Sequence, residues 1–165
     1  MNNQMTPPVQ LLQLDVLQQF RIIYGSMRQH FREIEESCGM PGSQTWILQE
    51  VERTPGIGIT DLAYRLGVHQ STCSIMVEKL AAKGYLIKDK MHQDQRRIGL
   101  RLTPAGEEVI GKLPGPAEGV LPEALAAVPA VSLRTLHINL DELIRHMPGI
   151  NETFATTPLA EIVRD

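Results

Sequence analysis

The charged residues with the most distinctive spacing lie in residues 91–106, MHQDQRRIGLRLTPAG, where Asp94 is followed by the arginine pair Arg96 and Arg97. Residues 83–101 contain six basic side chains against two acidic ones, a local charge of +4 in a chain whose formal net charge is −3. A basic island on an acidic protein indicates a surface that attracts a polyanion, and nucleic acid is the candidate.

The arginine pair lies where a hairpin is predicted. Residues 85–90 (YLIKDK) and 97–102 (RIGLRL) have strand composition, and a polar turn, HQDQ, at 92–95 separates them. The second strand alternates in the way a half-buried strand does: Ile98, Leu100 and Leu102 against Arg97, Gly99 and Arg101. We therefore expect a two-stranded hairpin with the arginines at or near its tip.

Two short helices are predicted before this hairpin. Thr60 can cap the first, Asp61 to Leu66, and a tight turn at Gly67-Val68 leads to the second, from about His69 to Lys83. Helix, turn, helix and hairpin together make a winged helix-turn-helix. In that motif the second helix, here termed the reading helix, enters the major groove of DNA.

The reading helix is predicted to have two different faces. A step of 100° per residue places Cys73, Met76, Val77 and Leu80 inward, and Ser71, Ile75, Glu78 and Ala82 outward, flanked by Thr72, Ser74 and Lys79. Short hydroxyls suit phosphates and base edges, and an aliphatic side chain suits a thymine methyl. The predicted contacts of the reading helix are His69, Gln70, Ser71, Thr72, Ser74, Ile75 and Lys79. The alternatives are a merely solvated face, or an Ile75 that packs on another segment.

The sequence resembles the MarR family of bacterial transcription regulators from about Trp46 to Gly106. The resemblance rests on ITDLAYRLGVHQSTCSIMVEKLAAKGYL, on DQRR at the wing and on LRLTPAG after it. It implies a homodimer that binds a pseudo-palindromic operator in double-stranded DNA and acts there as a repressor. It also implies a small aromatic or phenolic effector, which in this family often binds between the dimer helices and the reading heads.

The same resemblance assigns roles at the wing. Arg96 would enter a groove, the minor groove by analogy, with Asp94 holding it through a charge-assisted hydrogen bond, while Lys88, Lys90 and Arg97 would bind phosphates. Two departures from the family pattern stand out. Ile75 replaces a common arginine, and prolines in residues 114–122 interrupt a helix that is usually continuous.

The remaining chain is predicted to be helical, which gives a mainly α fold with a small β-hairpin wing. A helix with a broad apolar stripe is expected over Leu11–Glu36, and a second helix, with Ser43 as its cap, is expected to end at Arg53. Two further helices are expected, one from Thr103-Pro104 to about Leu113 and one over Ser132–Met147. The tail after Pro148 is expected to be frayed. We expect three units: an N-terminal arm and dimerisation helix (1–36), a winged helix-turn-helix domain (43–113), and C-terminal dimerisation helices with a tail (114–165).

Other classes of protein are disfavoured by what the sequence lacks. It has no apolar run of membrane-spanning length and no secretion signal, so a cytoplasmic location is expected. Its five histidines are scattered and form no known catalytic motif, so no enzyme, cofactor or metal is predicted. Two alternatives stay open: a thiol-based redox sensor, with Cys73 facing inward and Cys38 more exposed, and a winged helix that binds protein instead of DNA.

Overall fold

The computed structural model describes residues 8–90 and 98–164, so the predicted wing residues Asp94, Arg96 and Arg97 lie outside the described part of the chain. The elements, in chain order, are α1 (Val9–Cys38), α2 (Gly42–Arg53), α3 (Ile59–Leu66), α4 (Gln70–Ala82), β1 (Leu86–Lys90), β2 (Ile98–Leu102), α5 (Pro104–Ile110), α6 (Val120–Ala127), α7 (Ala130–Arg145), a 3-10 helix (Glu152–Thr156) and α8 (Leu159–Ile162). The fold is a winged helix-turn-helix, as predicted, and α4 is the reading helix.

Helix α2 lies at the centre of the core. Its Ile47 and Leu48 are fully buried, and it packs against α1, α3, α4, α5, α8 and strand β2. Leu62 of α3 and Leu80 of α4 are equally inaccessible and belong to the same hydrophobic cluster. The two helices of the reading head are therefore fixed to one common support.

The hairpin is antiparallel, with Leu86 opposite Leu102 and Lys90 opposite Ile98. Leu100 is fully buried and also bonds to the loop before α3: its N–H donates to the Ile57 carbonyl (2.9 Å), and its own carbonyl accepts from the Gly56 N–H (2.8 Å). The base of the wing is thus tied to the α2–α3 loop by backbone hydrogen bonds.

The helix after the wing begins as the sequence predicts. The Thr103 hydroxyl oxygen accepts from the Gly106 N–H (3.2 Å), and Pro104 occupies the first helical position. The helix ends at Ile110, three residues before the predicted Leu113, and residues 111–119 form turns without regular structure. The prolines and glycines of this linker do interrupt the chain between α5 and α6.

Two predicted helix caps are wrong. Helix α2 begins at Gly42 after Pro41, and the Ser43 hydroxyl inside its first turn donates to Glu161 instead of capping. Helix α3 begins at Ile59 after Gly58, so Thr60 also lies inside the first turn. Ser and Thr are common at both N-cap and first-turn positions, and residue type alone does not separate the two. Asp61 does lie in the first turn of α3, as predicted.

The frayed tail is also a wrong prediction. Residues 152–162 form the 3-10 helix and α8, and α8 contacts both α1 and α2. Ala160 and Val163 are buried in the main core, and Arg164 pairs with Glu35 of α1 at 2.9 Å. The chain therefore returns to the reading head after α7, which itself begins at Ala130, two residues before the predicted Ser132.

None of the helices within the described residues is long and apolar enough to cross a membrane.

Candidate DNA-binding surface and the adjacent cavity

The reading helix is placed by two glycines with left-handed backbone conformations. Gly67 (φ 66°) makes the turn after α3, and the Val68 N–H then bonds to the Ala63 carbonyl at 3.1 Å. Gly84 (φ 79°) follows α4, where the Tyr85 N–H returns to the Leu80 carbonyl at 3.0 Å. A side chain at either position would strain the backbone, so the two glycines fix where α4 begins and ends.

The faces of α4 agree with the helical-wheel prediction. Cys73, Val77 and Leu80 are completely buried, whereas Ile75 is 58% exposed. The other predicted contact residues of this helix lie on its accessible sides: His69, Gln70, Ser71 and Lys79 are exposed, and Thr72 and Ser74 are half-buried. His69 precedes the helix and makes no side-chain cap, so its imidazole is not used to start α4.

The described part of the wing lies against the reading helix. Lys88 on β1 pairs with Glu78 on α4, and Asp89 pairs with Arg101 across the hairpin at 3.4 Å. Lys90, at the end of β1, is exposed. Thus α4, Lys88 and Lys90 belong to one surface, while the placement of Asp94, Arg96 and Arg97 on it remains a prediction.

A buried carboxylate that the sequence reasoning missed holds α3 onto α2. The Glu50 side chain lies 2.8 Å from Arg53 and 3.3 Å from Arg65, and Arg65 also donates to the Thr54 hydroxyl at 2.8 Å. Glu50 is only 7% exposed, so removing one arginine would leave a poorly solvated negative charge with a single cationic partner. The ion pairs therefore help to set the angle of α3 and, through it, of the reading helix.

A cavity of about 390 Å³ lies between α1, α2, the end of α3, the α5–α6 linker and the C-terminal tail. Its wall is mostly apolar, and three aromatic rings take part: Phe31, Trp46 and Phe154. Its volume is in the range of small-molecule sites in proteins. Sequence patterns could not locate it, because its walls come from segments more than 100 residues apart in the chain.

The tail also borders the reading helix on another side. An open groove of about 500 Å³ separates Thr72, Ile75 and Lys79 of α4 from tail residues that include Thr153 and Thr156. The same tail segment, 153–160, therefore borders both the cavity and the groove beside the predicted DNA contacts. The spacing of Leu159, Ile162 and Val163 was the one signal that could have predicted an ordered tail.

The two cysteines do not have the environment of reactive thiols. Burial raises the pKa of Cys73 to about 11, and it also raises the pKa of Cys38, an effect that nearby Lys112 partly opposes. Cys38 was predicted to be more exposed, which is wrong: it is 8% exposed, with its thiol directed at the Val109 carbonyl (3.6 Å). Since the thiolate is the reactive form, both environments disfavour oxidation. Within residues 8–90 and 98–164 there is also no group of three or more potential metal ligands.

Comparison with known proteins gives a consistent result. Residues 42–98 match the MarR family model. A putative transcriptional regulatory protein for the hcr operon of Thauera aromatica is 28% identical over 88 residues, 53% of this chain, and the chain spans only about half of that relative (53%). Among solved structures, YusO from Bacillus subtilis has a TM-score of 0.53 at 16% identity, covering 86% of this chain and 100% of YusO. A mutant of Escherichia coli MarR in complex with operator DNA has a TM-score of 0.52 at 19% identity, covering 79% of this chain and 96% of that one. These structural likenesses establish the winged-helix fold.

Proposed function

We propose that this chain, whose residues 42–98 match the MarR family model, is a MarR-family transcriptional regulator. It would bind a pseudo-palindromic DNA operator as a homodimer, repress transcription there, and be released by a small aromatic effector. The observation that carries this proposal is the reading helix: one face is completely buried, and the other presents hydroxyls, Lys79 and a 58% exposed Ile75 beside a basic hairpin. An exposed isoleucine among Ser and Thr suits contact with a thymine methyl in the major groove.

The described wing residues support the same assignment. Lys88 and Lys90 lie on β1 next to α4, where ammonium groups can reach the DNA backbone. In the absence of DNA, Glu78 partly neutralises the charge of Lys88. We therefore expect Lys90 and the predicted wing arginines, Arg96 and Arg97, to contribute more than Lys88 to phosphate binding. Asp94 would orient Arg96.

Dimerisation is supported by apolar surface that one chain leaves uncovered. The N-terminal half of α1 exposes Val9, Leu12, Val16, Leu17 and Phe20, which form an apolar groove together with Leu143 of α7. Helix α7 has no buried residue within this chain, although Leu133, Leu136 and Ile144 project from it. A contiguous apolar patch of this kind marks an interface, and a two-fold dimer would present two reading helices about one DNA turn apart.

The cavity supports the effector part of the proposal. It touches the reading head through Leu66 and Gly67, and the rest of the protein through Phe31 and the tail. A ligand that fills the cavity would contact both the reading head and the rest of the protein. If it binds one relative arrangement of these two parts more tightly than another, it favours that arrangement. A flat aromatic molecule matches the rings of Phe31 and Trp46.

The test is a binding titration with DNA from upstream of the protein's own gene, at several salt concentrations. If six or more phosphate contacts form, affinity should fall by about 10³-fold or more between roughly 50 and 200 mM salt. The solution mass should be twice the chain's 18.4 kDa. A monomer would contradict the dimer. Failure to bind that DNA, or a flat salt dependence, would contradict operator binding and favour a winged helix that binds protein.

A further inference from the structure

The wall of the cavity carries a single charged side chain among the described residues that line it. That side chain is Glu118, in the linker between α5 and α6, and no Lys, Arg or His is among the lining residues that the structure describes. Around it the wall consists of aromatic, aliphatic and proline side chains with two hydroxyls, Ser43 and Thr157. Among the described residues, the cavity wall thus has a negative charge and aromatic surface, and no cation.

Glu118 is only partly neutralised by its neighbours. Its Oε1 lies 3.6 Å from Arg53, but Arg53 is nearer to Glu50, at 2.8 Å, and does not line the cavity. Its Oε2 is buried and has no hydrogen-bond donor among the described residues. A buried carboxylate oxygen normally has such a donor, so Glu118 keeps acceptor capacity that the described residues do not use. A ligand N–H would meet it after the carboxylate rotates toward the cavity.

Three other polar groups of the wall are already used within the protein. The Ser43 hydroxyl donates to Glu161, the Thr157 hydroxyl donates to the Thr153 carbonyl (2.9 Å), and the Ala117 N–H donates to the Gln49 side chain (3.1 Å). None of these three donors is free to bind the carboxylate of an acidic ligand. Such a ligand would also bring a second negative charge beside Glu118.

Building on the effector role proposed above, we propose that this cavity binds a protonated amine carried on an aromatic or apolar skeleton, and that Glu118 selects for the positive charge. The ammonium group would donate to the Glu118 carboxylate. Its apolar part would lie against Phe31, Trp46 and Phe154, whose ring faces also attract cations. An aromatic acid of the same size would lose both interactions and meet charge repulsion.

The experiment compares three probes of nearly equal shape: phenylbutylamine, phenylbutanol and phenylbutyrate. Binding to the full chain is followed by calorimetry and by the fluorescence of Trp46, the only tryptophan in the sequence. We expect the amine to bind about tenfold or more tightly than the alcohol, since a partly buried charge pair is weakly screened, and the acid to bind most weakly. An acid that bound as tightly as the amine, or the absence of binding by all three probes, would overturn the proposal.

Two variants test the role of Glu118. Glu118→Gln should remove the preference for the amine and leave alcohol binding within about twofold, because shape is kept and charge is lost. Glu123→Gln makes the same charge change at an exposed position on α6 and should keep the preference. Persistence of the preference in Glu118→Gln would overturn the assignment. DNA binding is measured on the same samples without probe: intact DNA binding with no probe selectivity refutes this inference alone, whereas absent DNA binding refutes the proposed function.

Discussion

Substituting Gly106 with alanine should destabilise the protein severely, although alanine is normally the better helix former. Gly106 lies in the first turn of α5, and a Cβ there would lie 2.1 Å from the Tyr85 carbonyl oxygen. That oxygen belongs to the backbone and accepts the Thr103 N–H at 3.2 Å, so it cannot move away as a flexible side chain could. Relief of the clash requires α5 to separate from the start of the wing.

The magnitude follows from three opposing contributions. Helix propensity favours alanine over glycine by about 1 kcal/mol. Overpacking against rigid neighbours costs about 1–3 kcal/mol, and loss of the Thr103 cap with its backbone hydrogen bond costs about 1–2 kcal/mol more. The net expected loss in the free energy of unfolding is about 1–4 kcal/mol.

Urea denaturation at one fixed protein concentration measures this loss, because dimerisation would make stability depend on concentration. The matched control is Gly111→Ala at the end of the same helix, where a Cβ would meet its nearest atoms at an ordinary 3.5–3.6 Å and φ is −62°. It should leave stability unchanged or raise it by about 0.4–1 kcal/mol. If Gly106→Ala proved as stable as Gly111→Ala, the close approach of α5 to the wing would be refuted.

Two further predictions concern the DNA surface and the buried thiol. Arg96→Ala should weaken binding to many DNA sequences alike, whereas Ile75→Ala should change the preference at one base position by roughly 1–3 kcal/mol. Titrations of each variant with an operator and its point variants distinguish the two effects. Unchanged operator affinity in Arg96→Ala would contradict the wing assignment. The pKa of Cys73 is raised from 9.0 to about 11, so the folded state retains the proton that the unfolded state loses first. The stability contributed by the Cys73 thiol is therefore complete below pH 9, and the urea midpoint should fall between pH 9 and 11. In Cys73→Ala the urea midpoint should lack this part of the fall with pH. Equal pH dependence in the two proteins would contradict the raised pKa.

Local patterns predicted the parts of the fold that depend on local chemistry. The two faces of α4 followed from helical geometry alone, because Cys73, Val77 and Leu80 recur at the helical period and Ile75 falls opposite them. The hairpin followed from strand composition and the polar turn, and the start of α5 from Thr103 and Pro104. The expected alternation along the second strand is wrong at its start, where Ile98 is exposed and Gly99 is buried. These features need no knowledge of which distant segments meet.

Several of the wrong predictions were decided by distant contacts. Cys38 ends α1 and could equally have faced solvent, but α5 packs over it through Val109. Ser43 has the residue type of a helix cap, yet its hydroxyl is used by Glu161, which lies 118 residues later. Glu118 and Trp46 carry no local signal of a shared cavity wall. Tertiary contacts of this kind override residue preferences and are not encoded in a short window of sequence.

The C-terminal tail links these distant contacts to the proposed function. Helix α8 has only four residues and would not be stable alone, so its order depends on docking against α1 and α2. Docking requires Gly42, because a Cβ there would lie 2.6 Å from the Phe31 ring and 3.2 Å from Ala160. Phe31 and Gly42 both line the cavity, so a ligand that moves the Phe31 ring changes the surface on which α8 rests. Because the residues just before α8 border the groove beside Thr72 and Ile75, the tail offers a contiguous physical connection from the cavity to the reading helix.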